Sequence, residues 1–596
     1  MKKFKYFFIF LCSLLTVVSF VTPMTLNGLV FTQKDNSFLL YLVFVIFLFL
    51  YYKKYLYSLK YNKIFNFLSL LFSLFMVVGY SFDVTDSSDL LFGSWFLFFL
   101  SLLKIVGYFI FFNVTINVIF NFIKEYDFPD FVKKNKLLLL FEKNPFVFSC
   151  ILLLICYLPY MIAYYPAVIN YDAANQIKEV MGIHTRYMDS VVLINENVFI
   201  TNFNPVIHTL LLGGLFKLGY NLGSVNFGLF LYSVFQTALV IMTFSYAICF
   251  MKKQGIKSKY LIISLLIFAL VPVFPMYAMT TVKDVIFSCL ILLLIIYIYK
   301  FIIDDVLNKD YFIFFVIVLF MMLFRNNGVY ILLLVFPFMI IVLKDKRKSL
   351  VSIFVLSLIS YFGYNRLLTY FEITNTSIRE ALSIPFQQTA RLVKYKEEVI
   401  EETDKNIIDV ILDYNTLADR YEPDLSDNVK NKYNKYATSD DLKRYFIVWF
   451  KYLLKEPMIY VDATLNNVYG YFYPNTAQWY LYNDYNTKLE EAGFDYHFNN
   501  LDVARDILGG FSSAYSRIPF LGLIVNIGFT SWIYLFMLCS LIVTKNKKYI
   551  FTLLPGFVLL LTCIAGPANT YFRYVLPLTF TLPVIVPLLL KKLNYR

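Results

Sequence analysis

Polar and apolar positions fall along this chain in long blocks, not at the short period of a soluble helix or strand. Apolar runs near 5–23, 38–52, 64–82, 90–113, 146–165, 226–250, 258–279, 284–301, 311–324, 328–344, 349–366, 518–543, 549–565 and 572–590 are separated by polar connections. Runs of about 17–25 apolar residues match a hydrocarbon core roughly 30 Å thick. Such a segment finds no water for its backbone, so it closes its own hydrogen bonds as a helix. The sequence has no alternating ten-residue segments of the kind that build a membrane barrel. The pattern predicts an all-α polytopic membrane protein with about 14 transmembrane helices.

Short Lys/Arg-rich loops stay on the cytoplasmic side. Here they are Lys53–Lys63, Lys124–Lys143, Lys252–Lys259, Lys344–Lys348, Lys545–Lys548 and the terminal Lys591, Lys592 and Arg596. All obey the rule, with both termini cytoplasmic, if Pro205–Leu218 does not span. That run is short and interrupted by Gly213 and Gly214, so it reads as a re-entrant or surface segment on the outer face. Lys2-Lys3 before an apolar stretch resembles a secretory signal, but no small-x-small cleavage site follows, which predicts an uncleaved first span. The expected organisation is N-terminal membrane helices over 1–143, a family-variable addition, then a membrane core over 144–366 with its first outer loop at 166–204. A mostly helical extracytoplasmic domain over 367–515 precedes the last three spans, which lie in 516–596.

Composition sharpens this picture. The chain is 59% hydrophobic, above the roughly 45–50% of globular domains, so the excess needs lipid as solvent. Aromatic residues reach 20%, which reads as compositional bias plus Tyr at the interfaces. The net charge of +13 resides in short loops, and no basic soluble patch is interleaved with aromatics, so nucleic acid is not an expected partner. All seven cysteines fall within apolar runs, which excludes CxxC motifs and argues against disulfides. Walker A, GxGxxG, HExxH and GxSxG motifs are absent from the sequence, removing support for ATP-driven transport, nucleotide oxidoreduction and zinc proteolysis.

On this topology Asp172, Asn204, His208, Lys283, Asp284, Arg325 and Arg573 fall on one face, several of them at ends of apolar runs. Asp172, in Asn170-Tyr171-Asp172-Ala173-Ala174, is either a general base for a hydroxyl or a helix N-cap. His208, in Asn204-Pro205-Val206-Ile207-His208, is either a proton shuttle or phosphate contact, or a hydrogen-bonded residue at a helix start. Lys283-Asp284 is either a local pair at the membrane boundary or a cation facing an anionic headgroup, oriented by its neighbour. Arg325, in Phe324-Arg325-Asn326-Asn327-Gly328, and Arg573, in Thr570-Tyr571-Phe572-Arg573, are positive charges on the side that usually avoids them. Arginine forks suit a phosphate or pyrophosphate lipid held there.

These motifs, together with Gln236 and Ile384–Arg391 (IPFQQTAR), resemble the DUF6020 bacterial membrane proteins and, at a distance, the GT-C glycosyltransferase superfamily. The resemblance runs from Tyr164 to the C-terminus, and the family's usual His-His-Pro appears here as Phe203-Asn204-Pro205. It implies a GT-C-like fold in a bacterial cell membrane, and a donor of polyprenyl-phosphate sugar. The implied acceptor is a cell-envelope glycan or protein. Asp172 would be the base, and Lys283, Arg325, Arg391 and Arg573 would stabilise the departing phosphate, with Asn204, His208 and Asp284 in the substrate site. No cofactor is expected, since Asp172 and Asp284 alone are a poor divalent-metal signature. Two other functions stay open: a flippase or transporter of lipid-linked glycans, and a non-catalytic scaffold for envelope assembly.

Overall fold

A computed structural model describes residues 2–30, 37–125, 136–476, 480–566 and 568–594. Residues 126–135 of the expected basic loop Lys124–Lys143, Pro567 and Arg596 lie outside the described residues. The described regular structure is helical, apart from a two-stranded hairpin, Met24–Thr25 with Gly28–Leu29, and isolated bridges, with irregular stretches such as 190–205 between helices.

Each apolar run is helical where described. Eight helices are long and apolar enough to cross a membrane: Lys3–Val21, Lys63–Thr85, Trp95–Lys124, Pro145–Ala163, Val225–Lys253, Lys283–Ile303, Lys344–Tyr370 and Phe572–Leu593. Ser258–Leu270 and Val273–Met279 make a ninth if the pair, bent by 49°, is one span. Pro272, which lacks a backbone N–H, stands in the break and accounts for it. Gly328–Val342, Ile527–Val543 and Leu554–Ile564 are apolar but shorter. The chain is thus an all-α, multi-pass membrane protein.

Lys283–Ile303 is the central helix, 83% buried over its apolar window, whereas Lys344–Tyr370 is only 17% buried and presents its side chains outward. Around the centre, Phe244, Phe268, Phe274 and Phe580 interlock, Phe244 stacking on Phe268 at 3.9 Å. The run expected not to span forms the helix Val206–Asn221, which packs on Tyr171–Val180, on Val225–Lys253 and on Leu489, Phe494 and Tyr496. Two glycines make this crossing close. A Cβ on Gly228 would lie 2.5 Å from the Leu215 carbonyl oxygen, and one on Gly219 would lie 2.3 Å from Gly228 N.

The polar stretch before the last helices has its own core, built by Phe386, Ile408, Leu412, Tyr445, Tyr452 and Tyr460 from the helices Ser383–Lys396, Glu402–Leu412, Ser439–Lys455 and Pro457–Asn466. It is called the cap below. The N-terminal helices are not a loose addition. Phe72 stacks on Trp532 at 4.1 Å, and Asn466 of the cap donates to the Asp86 carbonyl at 2.7 Å.

Candidate active site

Two backbone seams bring distant motifs together. Val168 N donates to Met279 O and Thr281 N to Val168 O, both at 2.9 Å, so the loop before Asp172 runs beside the loop before Lys283. Gln236 braces that seam by donating to the carbonyls of Ala278 (2.9 Å) and Thr280 (2.8 Å). A second seam ties the cap down: Asn202 N donates to Thr374 O at 2.8 Å, and Asn569 N to Asp424 O at 2.9 Å.

Asn170, not Asp172, caps the helix Tyr171–Val180, its side chain accepting from Ala173 N at 2.8 Å. The Asp172 carboxylate is therefore free for other partners. Its Oδ1 accepts from the Tyr187 hydroxyl at 2.8 Å, and its Oδ2 accepts from Arg573 Nη1 at 2.8 Å and Lys283 Nζ at 3.3 Å. Burial alone would raise this carboxyl's pKa, but the guanidinium of Arg573 and the ammonium of Lys283 overcome it and hold the group well below the usual carboxylate range. Lys283 also donates to Asn204 Oδ1 at 2.5 Å.

The expected neighbour pair Lys283–Asp284 does not form. Successive residues in the first turn of a helix point about 100° apart, and Asp284, fully buried, instead accepts from Arg325 Nη1. Asp284 thus orients Arg325, not Lys283. The Arg325 guanidinium also sits over the rings of Phe287 (5.3 Å) and Tyr574 (5.0 Å).

Asp172, Lys283, Arg325 and Arg573 line one cavity of about 990 Å³. The cap contributes Arg379, Glu380, Asp427 and Lys430 to its wall, and the first outer loop contributes Arg186, Tyr187 and Asp189. Glu380 joins the two cap cations, accepting from Arg379 Nε at 3.3 Å and from Lys430 Nζ. A further wall is apolar and includes Tyr330, Leu334 and Leu561, all of which are exposed on the helices Gly328–Val342 and Leu554–Ile564. The cavity therefore reaches from a cluster of buried charge to an apolar outer surface.

Four of the expected site residues stand apart from this lining, among them Asp284, buried behind Arg325. His208 is fully buried between Gln176 Oε1 (3.1 Å) and the Tyr232 hydroxyl (2.7 Å), which continues to Gln236. Burial pushes its pKa down to about 3, so it is a neutral link behind the site. Asn204 is buried beneath Lys283 and positions that ammonium. Arg391 is held within the cap core by the Tyr421 hydroxyl (2.9 Å) and Asp462 (3.3 Å), away from Asp172. Conversely, sequence reasoning passed over Arg186, Tyr187, Arg379 and Lys430. Arg186 carried a usable signal, being the one arginine in the first outer loop, 166–204. Among the described residues no group of three or more His, Cys, Asp or Glu side chains could hold a metal ion.

No curated protein and no solved structure gives a significant match to this chain. A family model does match, over residues 12–593, and so takes in the N-terminal helices ahead of the Tyr164-to-end stretch that carries the motifs. The chain belongs to DUF6020, a family of unknown function.

Proposed function

We propose that the protein is a membrane glycosyltransferase of the GT-C type, moving a sugar from a polyprenyl-phosphate donor to a cell-envelope acceptor on the outer face of a bacterial membrane. The observation that carries this reading is the single cavity in which Asp172 meets Lys283, Arg325 and Arg573, with an apolar wall at exposed Leu334 and Leu561. A phosphate bonded to an isoprenoid chain needs both: cations for the head, and a side opening to lipid for the tail. On this reading about fourteen helices span with both termini inside, and Val206–Asn221 lies on the outer face.

The chemistry uses residues already in contact. The acceptor hydroxyl gives its proton to the Asp172 carboxylate as its oxygen bonds to the sugar's anomeric carbon. The bond from that carbon to the phosphate oxygen breaks, its electron pair leaving on the phosphate. Lys283, Arg325 and Arg573 stabilise the charge that develops there, and attack opposite the leaving group inverts the anomeric centre. The position of the cations also speaks against a carrier. Lys283 opens its helix and Arg573 is the second residue of Phe572–Asn594, whereas transporter sites favour polar groups at mid-span.

The test is release of sugar from radiolabelled polyprenyl-phosphate donors by the lipid-reconstituted protein and by Asp172→Asn. Loss of a general base predicts a fall of about 10²–10⁴-fold in turnover with the fold retained. A folded Asp172→Asn protein with unchanged turnover refutes the role of Asp172. A wild type inactive on every donor shifts the weight to transport or scaffolding.

A further inference from the structure

The cations nearest the proposed base are neutralised by that base. Arg573 and Lys283 both donate to Asp172 Oδ2, and they are drawn from helices far apart in the chain. Their donor capacity is not exhausted by it. Arg573 Nε is buried without a hydrogen-bond partner. Arg186 lines the same cavity with no carboxylate partner among the described residues, its guanidinium lying 4.1 Å from the centre of the Tyr171 ring. One carboxylate therefore stands amid donors that suit a larger anion: a lipid phosphate offers two terminal oxygens as the donor's diester, and three with a further charge once the sugar has left.

We infer that Asp172 holds, as an internal ligand, the donors that the substrate's lipid phosphate needs, so that the phosphate must take Arg573 and Lys283 from Asp172 before that carboxylate can act. The exchange rests on the glycosyl-transfer reading for the identity of the anion as a lipid phosphate and for the role of Asp172 as base. Tyr187 gives the exchange its precision. Its hydroxyl holds Asp172 Oδ1, and its ring is stacked on Phe203 at 4.0 Å, so the carboxylate stays in position when Oδ2 loses its cations. A carboxylate relieved of two positive neighbours is also the stronger base. Seating the donor and readying the base become one event. Arg186, unpaired at the cavity wall, is the first contact for the arriving phosphate.

The experiment measures binding of farnesyl phosphate, which carries no sugar, to the full chain in lipid nanodiscs. Removing the internal competitor by Asp172→Asn tightens binding by about tenfold or more, although it abolishes the proposed chemistry. Asp172→Glu keeps the competitor, and Asp189→Asn removes one charge from the same cavity wall without releasing Arg573 or Lys283; both stay within about threefold of wild type. Arg573→Gln weakens binding by about tenfold or more. Inorganic phosphate as a second probe identifies the source: tightening with both probes assigns the site to the phosphate group itself, and tightening with farnesyl phosphate alone assigns it to a lipid phosphate. Equal or weaker binding by Asp172→Asn overturns the inference, as does equal tightening by Asp189→Asn, which would make the effect one of bulk charge. Should Asp172→Asn not fold, a structure of the wild type with farnesyl phosphate decides: phosphate on Arg573 with Asp172 released upholds the exchange, and an intact Arg573–Asp172 pair overturns it. Sugar turnover is scored separately, so a failure of glycosyl transfer leaves the binding result interpretable.

Discussion

Arg325→Gln offers the sharpest physical test of how the site is supported. Asp284 is fully exposed to neither water nor lipid: its side chain is 0% accessible, that of Arg325 10%, and the second carboxylate oxygen, Oδ2, has no partner. Removing the guanidinium leaves a carboxylate buried at the start of the central helix with no compensating charge. Breaking a buried pair from one side costs about 3–5 kcal/mol, which at about 1.4 kcal/mol per tenfold is two to three and a half powers of ten in the unfolding equilibrium. The loss comes from stranding Asp284, so Arg325→Gln combined with Asp284→Asn recovers most of it. Replacing both partners by neutral groups is often close to neutral for stability. Stability of purified protein in detergent, followed by denaturant-induced loss of the monodisperse species, measures all four members of the cycle. The double variant still lacks the Arg325 charge in the cavity, so its phosphate binding stays weak while its stability returns. A single variant as stable as wild type, or a double variant no better than the single, refutes the argument that Asp284 exists to hold Arg325.

Two further expectations follow from residues outside the charged cluster. Glu179 is buried on Tyr171–Val180 with Thr201 as its hydrogen-bond donor (2.7 Å), and burial raises its pKa from 4.5 to about 8 although that bond lowers it. The folded state therefore holds a proton that the unfolded state releases above about pH 4.5, so this contribution is fully present below that pH and falls away as pH rises towards 8. Glu179→Gln flattens this decline in an unfolding series over that range, and an unchanged slope refutes it. Gly228→Val drives a side chain against the backbone of Val206–Asn221 and destabilises by about 1–3 kcal/mol as an overpacked contact; because that helix begins beside Asn204, binding of farnesyl phosphate also weakens. A well-folded Gly228→Val protein with wild-type binding shows that the close crossing does not set the site.

The sequence alone determined the solvent, the secondary structure and several of the polar residues that matter. Lipid cannot satisfy a bare backbone, so long apolar runs had one available conformation, and they are helices. Charge is costly near hydrocarbon, so Asp172, Lys283, Arg325 and Arg573 stood out against their apolar surroundings, and they do share a cavity. Pairing was a different matter. Asp172 and Arg573 are 401 positions apart, and only helix packing brings them together. Local spacing suggested Lys283 with Asp284, yet helix geometry turns the two side chains to different partners. Arg391 entered through the family resemblance alone, and its exclusion from the cavity depends on Asp462, 71 residues on, inside a core of the cap's own. His208 read equally well as ligand or structural link, and the depth of its burial settled that in favour of the link. The cap residues Arg379 and Lys430 gave no local sign, because ordinary charges in a soluble segment become part of a site only when the fold closes them over one. Sequence marks which groups are out of keeping with their surroundings, and tertiary packing decides which of them meet, because burial and charge pairing are properties of neighbours in space.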